Sequence, residues 1–82
     1  MKEDKFLPIV SSNIEAASYD DLLLKMIVRF KNGTAYLYMP VSSDEWSQFS
    51  ELFDGKGVIS AGKWFAEHKS TWGYRRIENW KD

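Results

Sequence analysis

Several cations and two tyrosines in this chain fall at spacings that could grip a polyanion. Lys25, Arg29 and Lys31 take odd positions along a strand-like run over residues 22–30 and just past it, and Tyr36 and Tyr38 alternate in the next run, residues 34–39. Exposed rings accept bases of any sequence, at about 1–3 kcal/mol per stacked base, while adjacent cations hold the phosphates. A second concentration lies nearer the end of the chain, where Lys63, Lys69, Arg75 and Arg76 are interleaved with Trp72, Tyr74 and Trp80. Guanidinium is planar and weakly hydrated, so two neighbouring Arg side chains can clamp phosphate and stack on bases. Both sets also have plainer explanations. Alternating Tyr on a hairpin is ordinary core material, and the basic end can pair with Glu67, Glu78 and the acidic N-terminal third.

Catalytic or metal chemistry finds no such arrangement. His68 is the only histidine, so neither a His cluster nor a repeated proton relay can be built. Its neighbours Glu67 and Lys69 point away from it if the segment is helical. Ser11-Ser12-Asn13 suits a turn with side-chain-to-backbone bonds better than a nucleophile. Asp20-Asp21 and Asp44-Glu45 stand at element ends, where turn and capping duties suffice. Lys56-Gly57 and Ala61-Gly62-Lys63 lack the spacing of a phosphate loop. The expectation is a binding module with no catalytic residue, metal or cofactor.

The elements that must position these residues belong to a small domain. Its 82 residues contain no cysteine, which leaves no disulfide or thiolate site and fits a reducing compartment. Four Trp, four Tyr and five Phe supply the apolar area that a short chain otherwise lacks, since each buried ring removes roughly 150–250 Å² from water. The charged leader, residues 1–5, precedes no long apolar segment, so the expected location is the cytoplasm, with no membrane association. The net charge of −1 gives no overall cationic field, and any nucleic-acid binding must be local. Charge is segregated, however. Residues 1–24 hold two Lys against five acids, and residues 55–82 hold six cations against three acids, a distribution able to orient a polyanion.

Residues 6–10, apolar with Pro8, read as an edge strand, and residues 14–19 as another strand ending at Asp20-Asp21. Residues 22–30 alternate best, with Leu24, Met26, Val28 and Phe30 on one face. Asn32-Gly33 then marks a hairpin, because both residues tolerate positive φ. Its register admits two outcomes. A two-residue loop places Tyr36 opposite Arg29 and Tyr38 opposite Ile27, on the basic face. A three-residue loop with Gly33 in a bulge places them opposite Val28 and Met26, in the core. Ser42 and Glu45 form a capping box for a helix to about Phe53 that carries Trp46, Phe49, Leu52 and Phe53 on one stripe, with Gly55 placed to stop it. Ser60 starts a shorter helix to about Lys69, and residues 74–80 read as a packed extended segment or final short strand.

Taken together, Ser11-Ser12-Asn13-Ile14, Tyr19-Asp20, the hairpin from Val28 through Gly33, Tyr36-Leu37-Tyr38, Ser60-Ala61-Gly62-Lys63-Trp64-Phe65 and Tyr74-Arg75-Arg76 resemble the KTSC domain family. That family is named for its place at the C-terminus of some lysyl-tRNA synthetases and also occurs as free-standing bacterial and phage proteins. Ala66 stands where the family usually has Asn, and the connection over residues 56–59 is longer than typical. The resemblance implies a small α+β domain with RNA binding as its suggested activity. The expectation is one domain over residues 1–82: an antiparallel sheet of three to four strands with two helices on one face. It would bind RNA through Lys25, Arg29, Lys31, Tyr36, Tyr38, Lys63, Arg75 and Arg76. The alternative partner is a host or cellular protein, with the chain a monomer or a weak homodimer joined through the edge at residues 14–19.

Overall fold

Alternation of apolar residues with period two builds a sheet, and the two capped amphipathic stretches cover it. A computed structural model of the chain describes residues 5–77. The strands β1 (Leu7–Pro8), β2 (Ile14–Asp20), β3 (Lys25–Phe30), β4 (Ala35–Met39) and β5 (Gly73–Arg76) lie side by side in chain order, each antiparallel to the next. The helices α1 (Ser43–Ser50) and α2 (Ala61–His68), followed by a 3-10 turn over Lys69–Thr71, are inserted between β4 and β5. The architecture is α+β with two helices over one face, and the sheet has five strands rather than three or four. Its two edges are short: β1, where Pro8 limits further pairing, and β5, which returns beside β4.

One face of the sheet presents Ile14, Ala17, Met26, Val28 and Tyr38 to Phe49 within α1 and Phe53 just past it, and to Ala61, Trp64, Phe65 and Trp72 in and after α2. Phe49 is fully buried at the centre, edge-on to Phe53 at 4.8 Å and stacked on Trp64 at 5.2 Å. Ser42 and Glu45 complete the expected capping box, the Glu45 amide donating to Ser42 Oγ and the Ser42 amide to Glu45 Oε1. The helix stops at Ser50, earlier than expected, and tightens through i to i+3 bonds from Leu52 and Phe53 before reaching Gly55, whose φ of +78° favours glycine.

The run over residues 22–30 is shorter as a strand than its alternation suggests. Asp20 Oδ1 accepts from the Leu22 and Leu23 amides, a local turn that competes with the ladder. β3 therefore begins at Lys25, and Leu22 to Leu24 form the reversal between β2 and β3, exposed to solvent. Strand β2 is paired on both sides, with β1 at Ala16 and Ala17 and with β3 along its length. On the β1 side the strand pairing is confined to those two positions among the described residues. The last extended segment is Gly73–Arg76; Trp80 and Glu78 lie outside the described residues.

Candidate functional site

The hairpin takes the three-residue alternative. The Gly33 amide donates to the Phe30 carbonyl, the Phe30 amide to the Thr34 carbonyl, and Gly33 adopts φ +95°, the bulged reversal that only a residue free of a Cβ enters without strain. Val28 then faces Tyr36 and Met26 faces Tyr38, so both tyrosines stand on the helix-covered face. Tyr38 retains 5% exposure, edge-on to Phe65 at 5.3 Å and to Trp72 at 5.8 Å. Burial, followed by the phenols of Tyr36 and Tyr74, pushes its hydroxyl up to about 12.

That register separates the expected binding residues. Lys25 and Arg29 lie on the opposite face of β3 from Met26 and Val28, so they form no surface with the two tyrosines. Arg29 donates to Glu15 Oε2 at 3.1 Å and lies 4.7 Å from the centre of the Phe6 ring, a structural tie across β2 and β3. Lys31 is exposed in the hairpin turn beside a shallow depression lined by Ser12, Asn13 and Asn32. Lys63 projects from α2 and pairs with Glu67 at 3.7 Å one turn on. Arg75 and Arg76 lie on opposite faces of β5, because the pleat sends successive side chains to opposite faces. Arg75 is opposite Leu37, away from the helices, and Arg76 is opposite Tyr36.

What the fold assembles instead is an aromatic cleft at one end of the helix-covered face. Phe30, Tyr36 and Tyr38 come from β3 and β4, Tyr74 from β5, and Lys69, Ser70 and Trp72 from the turn after α2. It encloses about 520 Å³, within the range of small-ligand sites. Tyr74 is tilted 50° to Tyr36 at 6.1 Å and 36° to Tyr38 at 6.3 Å, and remains 70% exposed. The other tyrosine, Tyr19, uses its hydroxyl to donate to the Val41 carbonyl at 2.6 Å. Among the described residues, the hydroxyls of Tyr36, Tyr38 and Tyr74 enter no hydrogen bond. Lys69 lines the cleft, and Arg76 stands at the register position beside Tyr36 on the same face.

Behind the cleft the layer is closed by polar contacts of a structural kind. His68 stacks on Trp64 at 3.9 Å, with Nδ1 2.8 Å from the Trp64 carbonyl oxygen. Partial burial alone would raise the Glu45 carboxyl. The Ser42 amide and hydroxyl, the Trp72 indole facing it and the nearby His68 outweigh that burial and hold it below the ordinary value. Trp72 Nε1 is buried and oriented toward this carboxylate without completing a well-formed hydrogen bond. Among the described residues, no three His, Asp or Glu side chains come together as a metal site, and no helix is long and apolar enough to cross a membrane.

Of the residues expected to bind, Tyr36 and Tyr38 line the cleft, and Arg76 is paired across the sheet with Tyr36 on the same face. Lys25, Arg29, Lys31, Lys63 and Arg75 are dispersed over other surfaces. Phe30 and Ser70 were absent from the expected set, and Lys69, Trp72 and Tyr74 were marked only as part of the basic aromatic end. Strand parity between Arg75 and Arg76 was the available signal that only one of them could join the tyrosines.

The geometry is shared with proteins of known fold. No curated protein matches the sequence. The crystal structure of a KTSC domain protein from Yersinia pestis superposes with a TM-score of 0.68 at 23% identity, over 92% of this chain and 99% of that one. The family's sequence profile, described as the KTSC domain, covers residues 10–69. That span takes in the Ser-Ser-Asn turn, the bulged hairpin, both tyrosines and α2, and the chain belongs to the KTSC domain family.

Proposed function

We propose that this domain is a cytoplasmic, non-enzymatic binding module whose ligand is single-stranded RNA, held in the aromatic cleft. The supporting observation is the combination found there: five rings, three phenol hydroxyls without hydrogen-bond partners among the described residues, Lys69 in the lining, and Arg76 beside Tyr36 on the same face. Stacking on aromatic rings is tolerant of sequence, and each cation that neutralises a phosphate on a single strand contributes about 0.7 to the salt slope. A chain with a net charge of −1 has no global field to bind RNA with, so a local pair of cations must supply that attraction.

The test is fluorescence anisotropy of a labelled single-stranded RNA titrated with protein across a salt series. Replacing Lys69→Ala with Arg76→Ala is expected to lower affinity and to reduce the slope of log K against log salt by about 1.4. Arg75→Ala, on the other face, changes both much less. No anisotropy change at low salt removes the reading. An Arg75→Ala loss equal to that of Arg76→Ala removes the cleft as its site.

A second reading, a protein-interaction module such as an adaptor or a phage-encoded modulator of a host protein, is favoured by a different corner of the molecule. Leu22 is 86% exposed, and Leu23, Leu24 and Met39 are exposed with it where β2 turns into β3 and β4 ends. Contiguous exposed apolar side chains of this kind serve as contact surfaces. A pulldown with and without nuclease separates the two readings. A stoichiometric protein that survives nuclease and is lost with Leu22→Ser and Leu23→Ser favours this second one.

A further inference from the structure

We propose that the cleft receives one unpaired nucleotide of an RNA strand, its base stacked against Tyr74 and Tyr36, with the phosphates on either side of it held by Lys69 and Arg76. This rests on the RNA reading above and adds what occupies the site and how.

Three features lead to it. The first is the unsatisfied ring surface. At the far end of the layer Tyr19 and Trp46 stack nearly parallel, 5.1 Å apart and 10° from coplanar, so their faces are spent on each other. Tyr36 and Tyr74 are tilted 50° apart, and Tyr74, on the outermost strand, keeps 70% of its surface in water. A flat apolar face left open beside a concave site is suited to a flat ligand. A base paired within a duplex cannot use it, because its faces are already stacked within the helix, whereas an unpaired base can be turned out onto aromatic side chains.

The second is where the cations stand. Lys69, from the turn after α2, lines the cleft of about 520 Å³, whereas Arg76, on β5, stands outside that lining at the register position beside Tyr36. A single bound phosphate calls for cations that converge on it. Cations on separate elements, one lining the cleft and one beside it, instead match a chain that passes through, offering one phosphate before the base and one after it. This distinguishes a nucleotide within a strand from a free mononucleotide of the same chemistry.

The third is the hydroxyl set. Tyr36, Tyr38 and Tyr74 make no intramolecular hydrogen bond through their phenols among the described residues, nor does Ser70 through its side chain. Each is both donor and acceptor, and polar groups facing a concave site gain most from a ligand that pairs with them. A base edge and a ribose 2′-hydroxyl are such partners, so RNA is expected to bind more tightly than DNA of the same sequence.

The experiment uses the full chain and four probes: a five-nucleotide single-stranded RNA with a central adenine, the same strand abasic at that position, an RNA hairpin lacking unpaired bases in its stem, and adenosine monophosphate. The intact strand is expected to bind at least about fivefold more tightly than the abasic one, and more tightly than either the hairpin or the mononucleotide. Tyr74→Ala should lose about the same factor on the intact strand and little on the abasic one, while Tyr74→Phe stays within about twofold. Thermal melts of the Tyr74 variants that match wild type separate binding from folding. If intact and abasic strands bind equally and Tyr74→Ala is silent, the nucleotide site is wrong, although RNA binding by the backbone stands. If adenosine monophosphate binds as tightly as the strand, the site serves free nucleotides and both readings fall. Absence of binding by every probe also removes both.

Discussion

Two ends of one aromatic layer use the same residue types in opposite ways. Around α1, Tyr19 stacks on Trp46 and its hydroxyl is bonded to Val41, Trp46 and Phe49 meet Phe53 edge-on, and Phe49 is fully buried. Around β5, Tyr36, Tyr38 and Tyr74 leave their hydroxyls unbonded among the described residues, and Tyr74 is 70% exposed. The rings are continuous between the ends, from Phe49 through Phe65 to Tyr38 and on to Tyr74. The difference therefore lies not in whether aromatics pack but in whether their surfaces and polar tips are used up. Where both are used up, the ring serves stability. Where neither is, it is available to something else.

The contrast is most directly broken by truncating one ring from each end. Phe49→Ala removes a fully buried side chain at the junction of both helices and is expected to cost about 3–5 kcal/mol. That is a large part of the roughly 5–15 kcal/mol available to a small domain. Tyr74→Ala should stay within about 0.5 kcal/mol. Urea unfolding of both variants measures the pair. A Tyr74→Ala cost approaching that of Phe49→Ala would mean that the cleft is core, with nothing reserved for a ligand.

A smaller effect sharpens the same contrast at the start of α1, where polar groups are as fully used as the rings. Ser42→Ala removes the hydroxyl that accepts the Glu45 amide and is expected to cost about 1 kcal/mol. The reciprocal Glu45 carboxyl is held below the ordinary glutamate value of 4.5. A depressed carboxylate contributes stability that is present above the unfolded value and is lost as pH falls through the folded one. Wild-type unfolding midpoints should therefore drop on acidification below about pH 4.5, and Glu45→Gln should flatten that fall. An unchanged acid profile in Glu45→Gln would show that the carboxylate is not held by the cap.

Much of this frame was legible from local chemistry. The Ser42 and Glu45 capping box, the short Ser60 helix and the Asn32-Gly33 reversal each depend on a few neighbouring residues, and each is present. Asn32-Gly33 suits both a tight and a bulged hairpin, so it left the placement of Tyr36 and Tyr38 open. The three-residue loop decided it, with Phe30 bonded to both Gly33 and Thr34. The cleft was less legible because it depends on β5 crossing back to pair with β4, a contact between residues some 35 positions apart. That pairing brings Tyr74 and Arg76 to Tyr36 and turns Arg75 away. Alternation likewise overextended β3, since Leu22 to Leu24 continue an apolar pattern that the Asp20 side chain interrupts.

That interrupted turn leads to the smallest effect, and it lies beside the sealed end. Leu24 adopts φ +55°, and its carbonyl accepts the Val41 amide at 2.8 Å just ahead of α1. A left-handed conformation costs an L residue roughly 1–2 kcal/mol, which glycine avoids. The α1 end is thus closed in part by a left-handed residue whose carbonyl is tied to Val41. Shortening Leu24 loses apolar burial whichever small residue replaces it, so the backbone cost is isolated by comparing two replacements. In an ordinary strand or helix, glycine is worse than alanine by roughly 0.5–1 kcal/mol. Here the order should invert, with Leu24→Gly more stable than Leu24→Ala by about 0.5–1 kcal/mol in urea unfolding. The usual order would mean that residue 24 is not held in the left-handed region in solution. In that case the Val41 tie would not constrain the start of α1, and the sealed end would be closed by its rings and cap alone.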